Sequence, residues 1–205
     1  VKDPFERLGV PRRPWVDLEN LREQYLAEAK WTHPDSTHGS ESAFAELKEA
    51  YDTLCEPARR LKFLASDDVP QDPSRGIRNA ELFMGVAAAI QSADKILQSL
   101  PPASNLAKAV EAGKSQSALT HLEACLEELA AFSQSCEKSL QELDSQWPKV
   151  HDNELVALAS QFTFAKKWTL QAKERKFQLI STKNLPVQTT GFPSAGSKRL
   201  GEATS

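Results

Sequence analysis

Apolar residues recur along this chain at steps of three and four, and Val, Ile and Thr never form a sustained alternating run. That period belongs to helices, so no sheet is expected. Leu18, Leu21 and Tyr25, with Ala29 continuing the face, predict a helix over Asp17–Thr32. Asp17 is placed to cap it, with its carboxylate at the positive helix end. Phe44, Leu47, Tyr51 and Leu54 make a second stripe and predict a helix over Ser40–Leu54. Two such stripes joined by a polar loop fold back as an antiparallel hairpin. Pro57 is suited to the first turn of a further short helix.

The pattern resumes after a polar, Pro-bearing stretch at Asp67–Gly76. Leu82, Val86, Ala89, Ala93, Ile96 and Leu100 predict a helix from Asn79 to Leu100, ended by Pro101-Pro102. A shorter helix is expected over Leu106–Ala112, stopping at Gly113. Leu119, Leu122, Leu126, Leu129, Ser133, Cys136, Leu140, Leu143 and Trp147 then hold heptad spacing, with Phe132 compensating for Ser133. Pro148 ends this run. Asp152 is expected to cap a last helix carrying Leu155, Leu158, Phe162, Ala165, Ala172 and Leu179. Phe83 and Phe164 sit beside their stripes, so with Met84 they either form an outward apolar patch or are buried by a wider packed face. Three long helices with short connections favour an antiparallel bundle, and the heptads also admit a homodimeric coiled coil. The expected division is a helical hairpin unit over 1–66, a linker over 67–78, a bundle over 79–181 and a disordered tail over 182–205.

Composition narrows the function classes. The chain has 205 residues with 40% hydrophobic, 7% aromatic and 8 Gly, a mixture that suits helices. The net charge of −3 argues against a nucleic-acid partner. No apolar run approaches the roughly 20 residues that span a bilayer, and no secretory leader is read at Val1, so a cytoplasmic protein is expected. Cys55, Cys125 and Cys136 are an odd number without a close pair, which fits free thiols in a reducing compartment. On one straight helix, Cys125 and Cys136 would stand about 16 Å apart, too far for a disulfide. His33, Asp35 and His38 offer polar groups, but no orienting third group and no Gly-rich phosphate loop accompanies them, so neither an enzyme nor a metal site nor a cofactor is expected.

The tripeptide His33-Pro34-Asp35 falls between the first two predicted helices. Pro34 fixes its own φ and pushes His33 out of the helical region, which makes a tight polar corner. The surroundings resemble a J-domain, the module that activates DnaK-type (heat-shock 70 class) chaperones. Asp3-Pro4-Phe5-Glu6-Arg7-Leu8-Gly9-Val10-Pro11 resembles its opening helix, and Leu21-Arg22-Glu23-Gln24-Tyr25 its second. Phe44 to Leu54 resembles its third helix, and Pro57-Ala58-Arg59-Arg60-Leu61-Lys62-Phe63-Leu64 its closing turn and fourth. The likeness covers roughly residues 3–66. It differs in charge. Arg22 and Lys30 stand against Asp17, Glu19, Glu23 and Glu28, a net of −2 where the family is basic.

A J-domain followed by a bundle of this size resembles the HscB-type co-chaperone of iron–sulfur cluster assembly. Glu81-Leu82-Phe83-Met84 is similar to that family's scaffold-binding segment. Leu143 to Trp147 and Gln161 to Lys167 are similar to its last two helices. Gly85-Val86-Ala87-Ala88-Ala89 replaces the acidic cluster expected next. The resemblance implies a co-chaperone that stimulates ATP hydrolysis in a DnaK-type chaperone, with His33, Pro34, Asp35, Arg22 and Lys30 as the chaperone-binding set. It implies a bundle that presents a client, such as an iron–sulfur scaffold protein, through Phe83, Met84, Ala87 and Phe164. The expected assembly is a monomer or weak homodimer without nucleic-acid or membrane partners. A J-like interaction scaffold without chaperone stimulation is the alternative.

Overall fold

The computed structural model describes residues 3–37, 39–65, 80–99 and 104–183. Among them are seven α-helices and no strand: α1 (Pro4–Arg7), α2 (Leu18–Thr32), α3 (Glu41–Cys55), α4 (Pro57–Leu64), α5 (Ala80–Leu97), α6 (Asn105–Ser145) and α7 (Asp152–Lys183). All of the linker expected over 67–78, and the tail beyond Lys183, lie outside the described residues. So do Asn79, Leu100 and Pro101-Pro102. Thr182 and Lys183, assigned to the tail from sequence, close α7.

Local chemistry sets the N-terminal helices. Asp3 caps α1 by accepting the Phe5 amide at 2.8 Å. Gly9 ends it at φ +61, where the Val10 amide bonds to the Phe5 carbonyl and the Gly9 amide to that of Glu6. This Schellman arrangement needs a left-handed residue, hence glycine. Asp17 caps α2, accepting from the Glu19 and Asn20 amides. Ser40 caps α3 through the Ala43 amide at 3.2 Å. α2 and α3 pair as the expected hairpin, with Tyr25 and Tyr51 stacked at 4.3 Å between ring centres. Leu21, Leu47, Ala50 and Leu54 are buried. Leu18 is not part of that face and is 54% exposed. With Tyr25 opposite Tyr51, the antiparallel register carries Leu18 past the end of α3.

α5, α6 and α7 form the antiparallel bundle. Leu122, Leu129, Phe132, Cys136 and Leu140 of α6 meet Val86, Ala89 and Ala93 of α5 and Leu155, Leu158, Ala165, Ala172 and Leu179 of α7. Phe132 does fill the place of Ser133, whose hydroxyl donates back to the Leu129 carbonyl at 2.9 Å. Burial of these faces stabilises each long helix far more than propensity does.

Several expectations are corrected. α6 runs unbroken through Gly113, so Leu106–Ala112 is its first part rather than a separate helix. Glycine inside a helix costs only about 1 kcal/mol relative to alanine, and the continuing packed face outweighs that. Asp152 is the first residue of α7 rather than its cap, and the Glu154 carboxylate accepts the His151 amide instead. Phe83 is 8% exposed. Its ring lies 5.6 Å from both Phe132 and Phe164 and 6.5 Å from Trp168, so the outward patch of Phe83 and Phe164 is instead an internal aromatic cluster. The packed face of α5 is wider than its 4-3 stripe, because α6 and α7 contact it from two sides.

The hairpin does not stand apart from the bundle. Buried apolar residues form one connected cluster from Phe5 to Leu179, and α4 packs on α7.

Candidate functional site

The corner after α2 is built by its own backbone. His33 takes φ −58 and ψ 139, the extended setting that a following proline demands. The Ser36 amide bonds to the His33 carbonyl at 2.9 Å, and the Ser36 hydroxyl donates to the Trp31 carbonyl at 2.6 Å. The Gly39 amide bonds to the Ser36 carbonyl at 3.1 Å. A Cβ at Gly39 would overlap the His33 carbonyl, so glycine is what allows this close return. His38 lies outside the described residues.

The side chains are poised rather than spent. His33 packs edge-on against Phe44 with ring centres 5.3 Å apart, which holds the imidazole to the hairpin. Its Nδ1 accepts the Asp35 amide at 3.3 Å, placing the proton on Nε2. Nε2–H has no partner among the described residues and can donate outward. The Asp35 carboxylate is 91% exposed, and its Oδ2 lies 3.4 Å from Nδ1. The corner therefore presents an imidazole and a carboxylate together on a hydrogen-bonded turn. A partner that meets both gains directional hydrogen bonds without first ordering the loop.

Arg22 and Lys30 are exposed on α2, on the same winding ridge as Leu18 and Leu26. Leu26 is 48% exposed and Trp31 is 70% exposed beside the corner. Glu28 is held by Arg7 at 3.1 Å, which removes one acid from the free surface of the helix. The expected client residues divide. Met84 is 72% exposed, Ala87 and Phe164 are half-buried, and Phe83 is buried. No group of three or more His, Cys, Asp or Glu among the described residues could hold a metal ion. No described helix is long and apolar enough to cross a membrane.

Sequence reading missed the polar joint between hairpin and bundle. Asp144, buried on α6, receives Arg13 through Nε at 2.8 Å and through Nη2 as well. It also accepts the Trp15 amide at 3.0 Å. This pairing raises the Arg13 pKa, chiefly through the hydrogen bond to Asp144. Arg60, 2% exposed, donates Nε to the Pro14 carbonyl at 2.7 Å and Nη1 to the Leu54 carbonyl. Burial pushes its pKa down to about 10. The signal present in the sequence was an acid on the apolar face of α6, one position after Leu143.

Residues 3–63 match the DnaJ domain family model. Residues 3–63 of this chain form a J-domain. The DnaJ chaperone of Caldicellulosiruptor saccharolyticus is 37% identical over 78 residues, covering 37% of this chain and 20% of that protein. The mitochondrial J-type co-chaperone Jac1 of Schizosaccharomyces pombe is 30% identical over 103 residues, covering 43% of this chain and 46% of that one. The chain thus spans less than half of either relative. The chaperone HscB of Vibrio cholerae superposes with a TM-score of 0.58 at 22% identity, covering 86% of this chain and 99% of the other. The J-domain protein therefore has the HscB fold, a J-domain hairpin followed by a helical bundle. α2 and α3 are the J-domain's central hairpin, and His33-Pro34-Asp35 is the tripeptide at its tip.

Proposed function

We propose that this J-domain protein is a co-chaperone that stimulates ATP hydrolysis by a DnaK-type chaperone. The exposed His33-Pro34-Asp35 corner carries this reading, because the turn holds its imidazole and its carboxylate together at the surface. His33 Nε2–H and the Asp35 carboxylate would bond to the chaperone and favour its hydrolysis-competent state. Pro34 would fix their separation, while Arg22 and Lys30 contact the chaperone from the helix. Hydrolysis takes place in the partner, and this chain supplies no catalytic group.

The bundle, by the same proposal, presents a client, and an iron–sulfur scaffold protein is the candidate the HscB-type resemblance supports. Met84 is the projecting contact, with Ala87 beside it, and the buried Phe83 and half-buried Phe164 pack together behind them. The unit boundaries at 1–66 and 79–181 belong to this proposal. So does a cytoplasmic setting, which the free Cys55, Cys125 and Cys136 fit.

Single-turnover ATP hydrolysis by a DnaK-type chaperone tests the reading. The full chain is expected to accelerate it, and His33→Gln to abolish the effect without loss of helicity. Equal rates with both proteins would leave the J-like scaffold without stimulation as the function. The exposed Glu19 and Glu23 on α2 favour that second reading, because they oppose the basic steering a chaperone normally meets.

A further inference from the structure

The inner face of α7 is fully engaged with α4, α5 and α6. Its outer face has a pattern of its own. Lys166, Leu170, Lys173, Phe177 and Ile180 step by four, three, four and three. At 100° per residue they fall within a narrow arc, and the row is about 21 Å long. Leu170 is 66% exposed, Phe177 70% and Ile180 40%. Single exposed apolar residues need no explanation, but three large ones in heptad register do.

Charge gives the row a second character. Residues 166–183 contain six basic residues and one acidic, in a chain whose net charge is −3. Arg175 pairs with Asp94 and Lys176 with Glu123, both toward the bundle. Lys166 reaches Glu56 yet keeps its side chain 69% exposed, and Lys167 and Lys173 are exposed as well. The outer ridge is therefore basic and apolar together.

We propose that this ridge is a docking surface for an acidic amphipathic helix of a partner protein. Heptad spacing selects a helix, because only a helix supplies holes at that repeat. The lysines select acidic flanks. Pairing with a second copy would set Lys173 against Lys173 and basic surface against basic surface. A bilayer-binding face is broad and apolar with lysines at its margins, whereas here two lysines stand inside the row. The ridge is separate from the Met84 region, since Phe164 turns to the opposite side of α7 and joins Phe83 in the core.

Two synthetic 21-residue helices test this with the full chain, read by titration calorimetry. Both carry Leu at the a and d positions. One has Glu and the other Lys at e and g, so that like charges keep each from pairing with itself. The Glu peptide is expected to bind and the Lys peptide not. Leu170→Ser with Phe177→Ser should weaken binding at least about tenfold with unchanged helicity. Lys166→Glu with Lys173→Glu should reverse the preference between peptides. Equal binding of both peptides, or no effect of either variant pair, overturns the proposal. So does Phe177-dependent dimerisation in sedimentation, or Phe177-dependent binding to phosphatidylserine vesicles in place of the peptide.

Discussion

Arg13 and Asp144 are 131 positions apart and form a two-pronged ion pair that ties the segment before α2 to the end of α6. Asp144 is the less exposed partner, with 10% of its side chain accessible against 45% for Arg13. Its position near the C-terminus of a helix is unfavourable for an anion, so the guanidinium and the Trp15 amide are what stabilise it there. The joint orients the J-domain relative to the bundle through hydrogen bonds with fixed directions.

Asp144→Ala should release the Trp15 amide and lower the melting temperature. Hydrogen exchange at that amide is the direct readout, and exchange as slow as in the unaltered protein would show the joint to be dispensable. Arg13→Ala added to Asp144→Ala should cost little more, because the two residues act on one interaction.

Arg60 is buried and donates to the Pro14 and Leu54 carbonyls. Arg60→Met keeps much of the stem but loses both bonds, and should destabilise by about 3 kcal/mol. For a domain of this size that is a fall of roughly 10 °C. Arg60→Lys should recover only part of it, since an ammonium cannot reach two acceptors with the geometry of a planar fork. Thermal denaturation of the pair checks both statements.

At Gly39 the expected effect is on function rather than global stability. A methyl group there collides with the His33 carbonyl and must displace the corner. Gly39→Ala should leave α2 and α3 helical by circular dichroism and reduce ATPase stimulation nearly as far as His33→Gln. Full stimulation by Gly39→Ala would show that the turn tolerates a different path.

Phe83 and Met84 are adjacent and should behave oppositely. Phe83→Ala empties the centre of an aromatic cluster and should cost about 3–5 kcal/mol. Met84→Ala removes an exposed side chain and should change stability by less than about 0.5 kcal/mol. If Met84 touches the client, its loss weakens capture at constant melting temperature. Calorimetric melts paired with a pull-down of the scaffold candidate separate the two outcomes.

Cys136 is 1% exposed, and burial pushes its thiol pKa up to about 11. The folded state therefore favours the neutral thiol more than the unfolded chain does. The resulting stability is fully present below the unfolded thiol's pKa and is lost as pH rises through about 11. Cys136→Ala should flatten the fall in stability over that alkaline range. At pH 8, Ellman's reagent should modify the half-buried Cys55 and Cys125 before Cys136, which the reagent cannot reach without local opening.

Helix type, helix order and the corner at His33-Pro34-Asp35 were legible in the amino-acid sequence. Each depends on local rules: apolar spacing, Asp17 and Ser40 as caps, and the backbone restriction before Pro34. What failed did so where distant segments decide. Leu18 fitted its stripe but lies beyond the end of α3. Gly113 looked like a stop, yet the packed face on both sides of it carries the helix through. Phe83 stood beside the apolar row and still became core, because α6 and α7 both close on α5. The Arg13–Asp144 joint and the burial of Arg60 had no local signature, since each links segments that only the folded chain brings together. Period and capping are properties of neighbours along the chain, whereas the width of a buried face and the partner of a buried charge are set by which helices meet.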